Sequence, residues 1–136
     1  MRVAYVGRHQ LLPLQLAALE ELGMSIARTI ENLPTEPAAL SALLHELQAA
    51  GIEAIVTIAL PPHLLAQLSN RFPLYVFEMK SVTFQSAAEA EKWVAEAPSK
   101  RTYLPGRPGE PIRGLEFTGI NRVKVVVESE RVWPKA

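Results

Sequence analysis

The sequence predicts an α/β protein with a mostly parallel sheet, because strand and helix patterns alternate four times in its first 97 residues. The clearest unit is residues 53–68, where a continuous apolar run rich in β-branched residues meets Pro61 and Pro62 and then becomes amphipathic. An unbroken apolar run of this kind is typical of a strand buried on both faces. A double proline suits the first turn of a helix, where a missing N–H costs little. This unit therefore predicts a central strand, a tight turn and a helix.

Three further units complete the pattern. Apolar or alternating runs predict strands at Val3–Val6, Met24–Ile30 and Phe72–Met79, and the alternation of the second places it nearer the edge of the sheet. Helices are predicted from Pro13 to Leu22, with Gly23 as the C-terminal cap, from about Pro37 to before Gly51, and from the Ser86–Glu89 capping box to about Ala97.

Right-handed crossovers turn these units into a doubly wound, Rossmann-like sheet with the strand order 2-1-3-4. The character of the chain changes after residue 98. Arg101–Leu104 could be a short strand, and Leu115–Phe117 and Val123–Val127 predict a β-hairpin about Gly119-Ile120-Asn121. We expect this C-terminal hairpin to extend the sheet, lie over the site or join two subunits. The expected organisation is one domain, 1–136, with a βα core at 1–98 and a loop and hairpin extension at 99–136.

Composition excludes several classes of function. Lys plus Arg equals Asp plus Glu at 14 each, which argues against a protein that coats long nucleic acids. There is no cysteine, and so no disulfide, thiolate nucleophile or cysteine metal site. GxGxxG, P-loop, HExxH and GxSxG motifs are absent, and no His or carboxylate spacing predicts a metal site, so we expect no metal and no cofactor. The short N-terminal apolar run and the lack of a spanning segment predict a cytoplasmic protein without membrane contact.

A ligand site is predicted where the helices leave a doubly wound sheet towards opposite faces, above the carboxyl ends of strands one and three. The loops after those strands carry a guanidinium, two imidazoles and a helix N-terminus, which together favour a phosphate group. The residues after strand four would form one wall. The predicted site therefore consists of Arg8, His9, Pro61, Pro62, His63, Glu78, Lys80 and Ser81.

Each of these assignments has a plainer alternative. His63 could only cap or pack, Arg8-His9 could be an ordinary polar turn, and Glu78 could pair with Lys80. The basic residues of the C-terminal part could be a solvated surface or a lid facing phosphate.

Two segments carry a resemblance to a known family. Arg8-His9 directly after strand one, together with Leu60-Pro61-Pro62-His63-Leu64-Leu65-Ala66 after strand three, resembles the small Rossmann-like CRISPR-associated Csx proteins. Members of that group act as ring nucleases or bind cyclic oligoadenylate. The similarity covers roughly the first eighty residues.

The resemblance implies a metal-independent enzyme that cleaves cyclic oligoadenylate, most often the four-membered ring, and so switches off CRISPR type III signalling. A homodimer would surround one symmetric ring. By matching position, Arg8 would stabilise the phosphorane charge, His9 would act as general acid or base, and the N–H groups at 62–64, with His63, would hold a phosphate. Two other readings stay open: a non-catalytic sensor or sponge for a cyclic oligonucleotide, and a Rossmann-like interaction protein.

Overall fold

The computed structural model describes residues 1–126 and 129–134, so the end of the predicted second hairpin arm, Val127, lies outside the described residues. Six strands and four helices occur in the described part. They are β1 (Arg2–Val6), α1 (Pro13–Glu21), β2 (Ser25–Ile30), α2 (Pro37–Ala49), β3 (Ala54–Thr57), α3 (Pro62–Ser69), β4 (Leu74–Phe84), α4 (Ala87–Glu96), β5 (Arg101–Leu104) and β6 (Ile112–Val123).

All six strands belong to one mixed sheet with the order β2-β1-β3-β4-β6-β5. The pairs β1–β2, β1–β3 and β3–β4 are parallel, and the pairs β4–β6 and β5–β6 are antiparallel. The α/β class and the mostly parallel sheet are thus confirmed. The predicted order 2-1-3-4 is incomplete, because two further strands continue the sheet beyond β4.

The strand β3 lies in the middle of the parallel part, with β1 on one side and β4 on the other. Ala54, Ile55 and Val56 have no exposed surface at all. Burial on both faces explains why this segment is an unbroken apolar run rather than an alternating one.

Helices cover both faces of the parallel strands. On one face Leu19 of α1 packs with Val3, Tyr5 and Val56. On the other, α2 and α3 contribute Leu40, Leu44, Leu47 and Leu68 to a cluster that also holds Ala4, Val6 and Ile55. The chain crosses from β1 to β2 on the first face and from β2 to β3 on the second. The departing helices therefore separate between β1 and β3.

The predicted hairpin about Gly119-Ile120-Asn121 is wrong. The strand β6 runs without interruption from Ile112 to Val123 against β4, and residues 124–126 are not in a strand. The register shifts between Glu78 and Met79, so that Thr118 is an extra residue beside Gly119. Gly119 therefore lies beside a β-bulge, a common place for glycine inside a strand. The turn instead lies in the loop between β5 and β6, where Gly109 has φ +85°.

The helix α4 packs on the far end of the sheet, where β4, β5 and β6 extend beyond the parallel strands. Ser86 accepts a hydrogen bond from the Glu89 N–H at 3.3 Å, which confirms the predicted N-terminal cap. The Trp93 ring stacks under the Arg101 guanidinium at 4.6 Å and lies 5.4 Å from the Phe84 ring. Arg101 also binds Glu116 at 2.7 Å, and this joins α4 to β5 and β6.

Among the helices in the described residues, none combines the length and the apolar character that crossing a membrane requires.

Candidate functional site

The loops that follow β1, β2 and β3 meet at the carboxyl ends of these strands and enclose a cleft of about 320 Å³. This is the position predicted from the crossing of α1 and α2 to opposite faces. The volume is at the lower end of the range of roughly 300–1,000 Å³ that small-molecule sites occupy. The cleft is lined by Val6, Gly7, Arg8, His9, Glu31, Asn32, Leu33, Thr57, Ile58, Ala59, Leu60 and Leu64.

Arg8 and His9 line this cleft, as the sequence predicts, and both are exposed. The Arg8 side chain has a definite partner. Its Nε donates to Asn32 Oδ1 at 2.9 Å, and its Nη2 donates to the same oxygen. Asn32 follows β2, the neighbour of β1, so this contact joins two walls of the cleft.

Three hydrogen bonds fix the loop that carries Arg8 and His9. The Tyr5 hydroxyl donates to the His9 carbonyl at 3.0 Å. The Gly7 N–H donates to the Ile30 carbonyl at 2.9 Å, which continues the β1–β2 ladder past the end of the strand. The buried Thr57 hydroxyl donates to the Val6 carbonyl at 2.8 Å and joins β3 to β1. The floor of the cleft is therefore cross-linked to all three strands.

Gly7 has little room for a side chain. A Cβ built at this position would lie 2.5 Å from the Tyr5 hydroxyl oxygen. The hydroxyl reaches the His9 carbonyl only because it can pass so close to this backbone. The glycine therefore serves close approach here, since its φ is not in the left-handed region.

The double-proline corner contributes less to the cleft than the sequence predicts. Leu60 and Leu64 line it, whereas Pro61, Pro62 and His63 are exposed and do not. The loop after β3 does reach the loop after β1, but through its apolar residues.

The N-terminus of α3 also offers few free donors. Pro62 has no N–H, and the N–H groups of Leu64 and Leu65 already donate to the Pro61 carbonyl at 3.0 and 3.1 Å. Of the backbone N–H groups at residues 62–65, in the first turn of α3, only that of His63 is left for a ligand. A phosphate held by a row of N–H groups at 62–64 is therefore not compatible with this helix start.

Lys80 and Ser81 lie within β4 rather than after it, because the strand runs to Phe84. They pair with Glu116 and Leu115 of β6, and the Ser81 hydroxyl accepts from Arg113 Nε at 3.0 Å. Val76 pairs with Thr57 at the end of β3, so Lys80 is four residues, or about 13 Å, further along the sheet. Neither residue lines the cleft. The prediction that they form a wall of the site is wrong.

Glu78 likewise faces β6 rather than the cleft. Its carboxylate accepts from the Thr118 hydroxyl at 2.9 Å and from the Asn121 amide at 3.0 Å. These hydrogen bonds, led by that from Asn121, lower the pKa of Glu78. The carboxylate thus stabilises the bulge on β6.

Sequence reasoning missed Glu31 and Asn32, which follow β2 and line the cleft. Two signals in the sequence could have found them. The strand β2 was placed beside β1 in the order 2-1-3-4, and parallel neighbours end at the same side of the sheet. The polar pair Glu31-Asn32 comes directly after that strand.

The cleft is lined by both polar and apolar residues, and its polar groups suit an anion. Arg8 offers a fork of donors, His9 an imidazole and Asn32 an amide, while Glu31 adds one carboxylate. Residues 1–126 and 129–134 hold no group of three or more His, Asp or Glu side chains arranged to bind a metal ion.

Searches against protein-family models, curated proteins and solved structures found no match to this chain.

Proposed function

We propose that the cleft binds cyclic oligoadenylate and that the protein is a metal-independent ring nuclease with a Rossmann-like core. The observation that carries this proposal is the position of Arg8 and His9. Both residues line the cleft that the loops after β1, β2 and β3 form. The resemblance of Arg8-His9 and the 60–66 block to Csx proteins gives the ligand class.

The reaction would be an intramolecular transesterification. The 2′-oxygen of one ribose forms a bond to the adjacent phosphorus, and the bond from phosphorus to the 5′-oxygen of the next ribose breaks. The products are a linear oligoadenylate with a 2′,3′-cyclic phosphate at one end and a free 5′-hydroxyl at the other. One proton must leave the 2′-hydroxyl, and one must reach the departing oxygen.

Arg8 and His9 would supply the chemistry. Three N–H groups of the Arg8 guanidinium are not used by Asn32, and they would stabilise the extra negative charge on the phosphorane oxygens. His9 would accept or donate one of the two protons. Holding the 2′-hydroxyl in line with the scissile bond would add to the rate, because displacement at phosphorus requires attack from the side opposite the departing oxygen.

The size of the cleft favours two copies acting on one ring. A cleft of about 320 Å³ is small for a ring of four nucleotides. In a homodimer two equivalent clefts would face the same symmetric ligand. Signalling in CRISPR type III defence would be switched off when the ring opens.

A second candidate function is supported by the position of His63. An acid–base pair of imidazoles needs both in the cleft, but His9 lines it and His63 does not. A single imidazole moves only one of the two protons, so this arrangement also fits a sensor or sponge that holds the ring without opening it.

The deciding experiment is incubation with labelled cyclic tri-, tetra- and hexa-adenylate in EDTA, followed by product analysis and thermal melting. The ring nuclease predicts linear products with a 2′,3′-cyclic phosphate. A cyclic tetra-adenylate built from 2′-deoxyribose is the matched control, because it lacks the nucleophile and must bind without being cleaved. A raised melting temperature without products supports the sensor. If no ring gives products and no ring changes the melting temperature, both functions are contradicted.

A further inference from the structure

We infer that Asn32 is a positioning residue that orients the Arg8 guanidinium toward the ligand, an inference that rests on the proposed function. Asn32 does this with one acceptor atom. Its Oδ1 takes the Nε hydrogen of Arg8 at 2.9 Å and one Nη2 hydrogen as well.

This contact occupies one edge of a planar group. The Nε–Nη2 edge of the guanidinium faces Asn32, so the Nη1–Nη2 edge stays free. An arginine held along one edge presents the other as a fork that matches two oxygens of a phosphate. Ordering the long side chain before the ligand arrives also removes part of the entropy cost of binding.

The backbone keeps the two residues in register. Val6 pairs with Ile30 at the last rung of the β1–β2 ladder. The Gly7 N–H then donates to the Ile30 carbonyl at 2.9 Å. Arg8 and Asn32 each lie two positions beyond that rung, one on each loop. Asn32 is therefore placed beside Arg8 by the sheet itself.

The neutrality of Asn32 matters for the charge of the site. An aspartate at this position would hold the guanidinium equally well but would add a negative charge. The cleft already contains Glu31. An amide orients the arginine and leaves its charge available to a phosphate. The Asn32 side chain also keeps its own two amide hydrogens, which can donate to a ligand oxygen.

The first measurement needs no ligand. The NMR signal of the Arg8 Nε hydrogen is assigned in the free protein by its absence in Arg8→Lys. This hydrogen exchanges slowly with water when the hydrogen bond to Asn32 is present. We expect slow exchange in the wild type and in Asn32→Asp, and fast exchange in Asn32→Ala. Unchanged exchange in Asn32→Ala would overturn the inference.

The second measurement is affinity for cyclic tetra-adenylate made with 2′-deoxyribose, which cannot be cleaved. Loss of one oriented charged contact corresponds to roughly tenfold weaker binding in Asn32→Ala. Asn32→Asp should bind at least as weakly, although Arg8 stays ordered. Asn121→Ala removes an amide that binds Glu78 outside the cleft, and it should bind like the wild type.

The two measurements separate the inference from the function on which it rests. If Arg8 is freed in Asn32→Ala but the wild type does not bind the ring, the positioning contact is real and the ligand class is wrong. If the wild type binds and Asn32→Ala binds equally well, the positioning role is overturned while the proposed function stands.

Discussion

The Tyr5 hydroxyl donates a hydrogen bond of 3.0 Å to the backbone carbonyl of His9, and so joins the carboxyl end of β1 to the loop that follows it. Tyr5 is only 3% exposed, and its ring packs in the core on the α1 face of the sheet. Burial raises the pKa of this phenol, so the hydroxyl stays a donor well above neutral pH. A rigid core residue therefore holds the backbone of the proposed general acid or base.

Tyr5→Phe should loosen that loop. Losing one neutral hydrogen bond should lower the free energy of unfolding by about 0.5–1.5 kcal/mol, and ligand affinity should fall because Arg8 and His9 are less fixed. Urea unfolding and binding of the 2′-deoxy ring measure the two effects. Tyr103→Phe is the control, because its hydroxyl binds Glu91 outside the cleft. Equal effects of both variants on binding would contradict the role of Tyr5.

Two glycines of β6 make a matched pair. A Cβ at Gly114 would lie 2.7 Å from ring atoms of both Phe84 and Trp93, whereas a Cβ at Gly119 meets nothing within 4 Å. Gly114→Ala should cost about 1–3 kcal/mol of unfolding free energy, because the aromatic rings under α4 must shift. Gly119→Ala should be close to neutral. Chemical denaturation of both variants provides the test, and equal stabilities would show that α4 does not pack as described.

Glu116 predicts a pH dependence of stability. The hydrogen bond from Arg101, at 2.7 Å, lowers the pKa of this carboxyl below its ordinary value of 4.5. A group with a lowered folded-state pKa stabilises the protein above its unfolded pKa, and this stabilisation is lost as the pH falls through the folded-state pKa. Glu116→Gln should therefore melt below the wild type at pH 7, and the difference in melting temperature should shrink as the pH falls below about 4.5.

Thermal melts between pH 3 and 7 measure this convergence. Glu20→Gln, on α1 and outside the Arg101 contact, is the control. A constant difference between Glu116→Gln and the wild type across this range would contradict the assignment.

Patterns that depend on burial were readable from the sequence. The apolar run through Ile55 and Val56 identified the central strand, because a strand covered on both faces has no polar side. The position of the cleft then followed from topology. The loops after β1 and β3 meet because the helices α1 and α2 leave to opposite faces.

Features that depend on which strand or side chain a residue pairs with could not be predicted from the sequence. A glycine within a strand pattern, such as Gly119, is typical of either a turn or a β-bulge, and only the length of the partner strand β4 decides between the two. The strand β4 continues to Phe84 because β6 supplies a partner for every residue from Leu74 to Phe84, and the extra residue of the bulge, Thr118, lies on β6. Because β4 continues in this way, Lys80 and Ser81 lie within the strand and away from the cleft. Asn32 was missed because a polar residue after an edge strand looks like an ordinary loop until its contact with Arg8 is seen.

The two histidines predicted for the site should differ sharply in their effects on cleavage. His9 lines the cleft and His63 is exposed outside its lining, with only its N–H left free at the start of α3. His9→Ala should abolish cleavage of cyclic tetra-adenylate, since it removes the proton-transfer group but leaves the Arg8 contact. His63→Ala should stay within about threefold of the wild type, because alanine keeps the backbone N–H. Initial rates with saturating ring, together with affinity for the 2′-deoxy ring, separate chemistry from binding. If His63→Ala abolished cleavage while His9→Ala retained it, the imidazole that moves the proton would belong to the double-proline corner, and the assignment of His9 would be wrong.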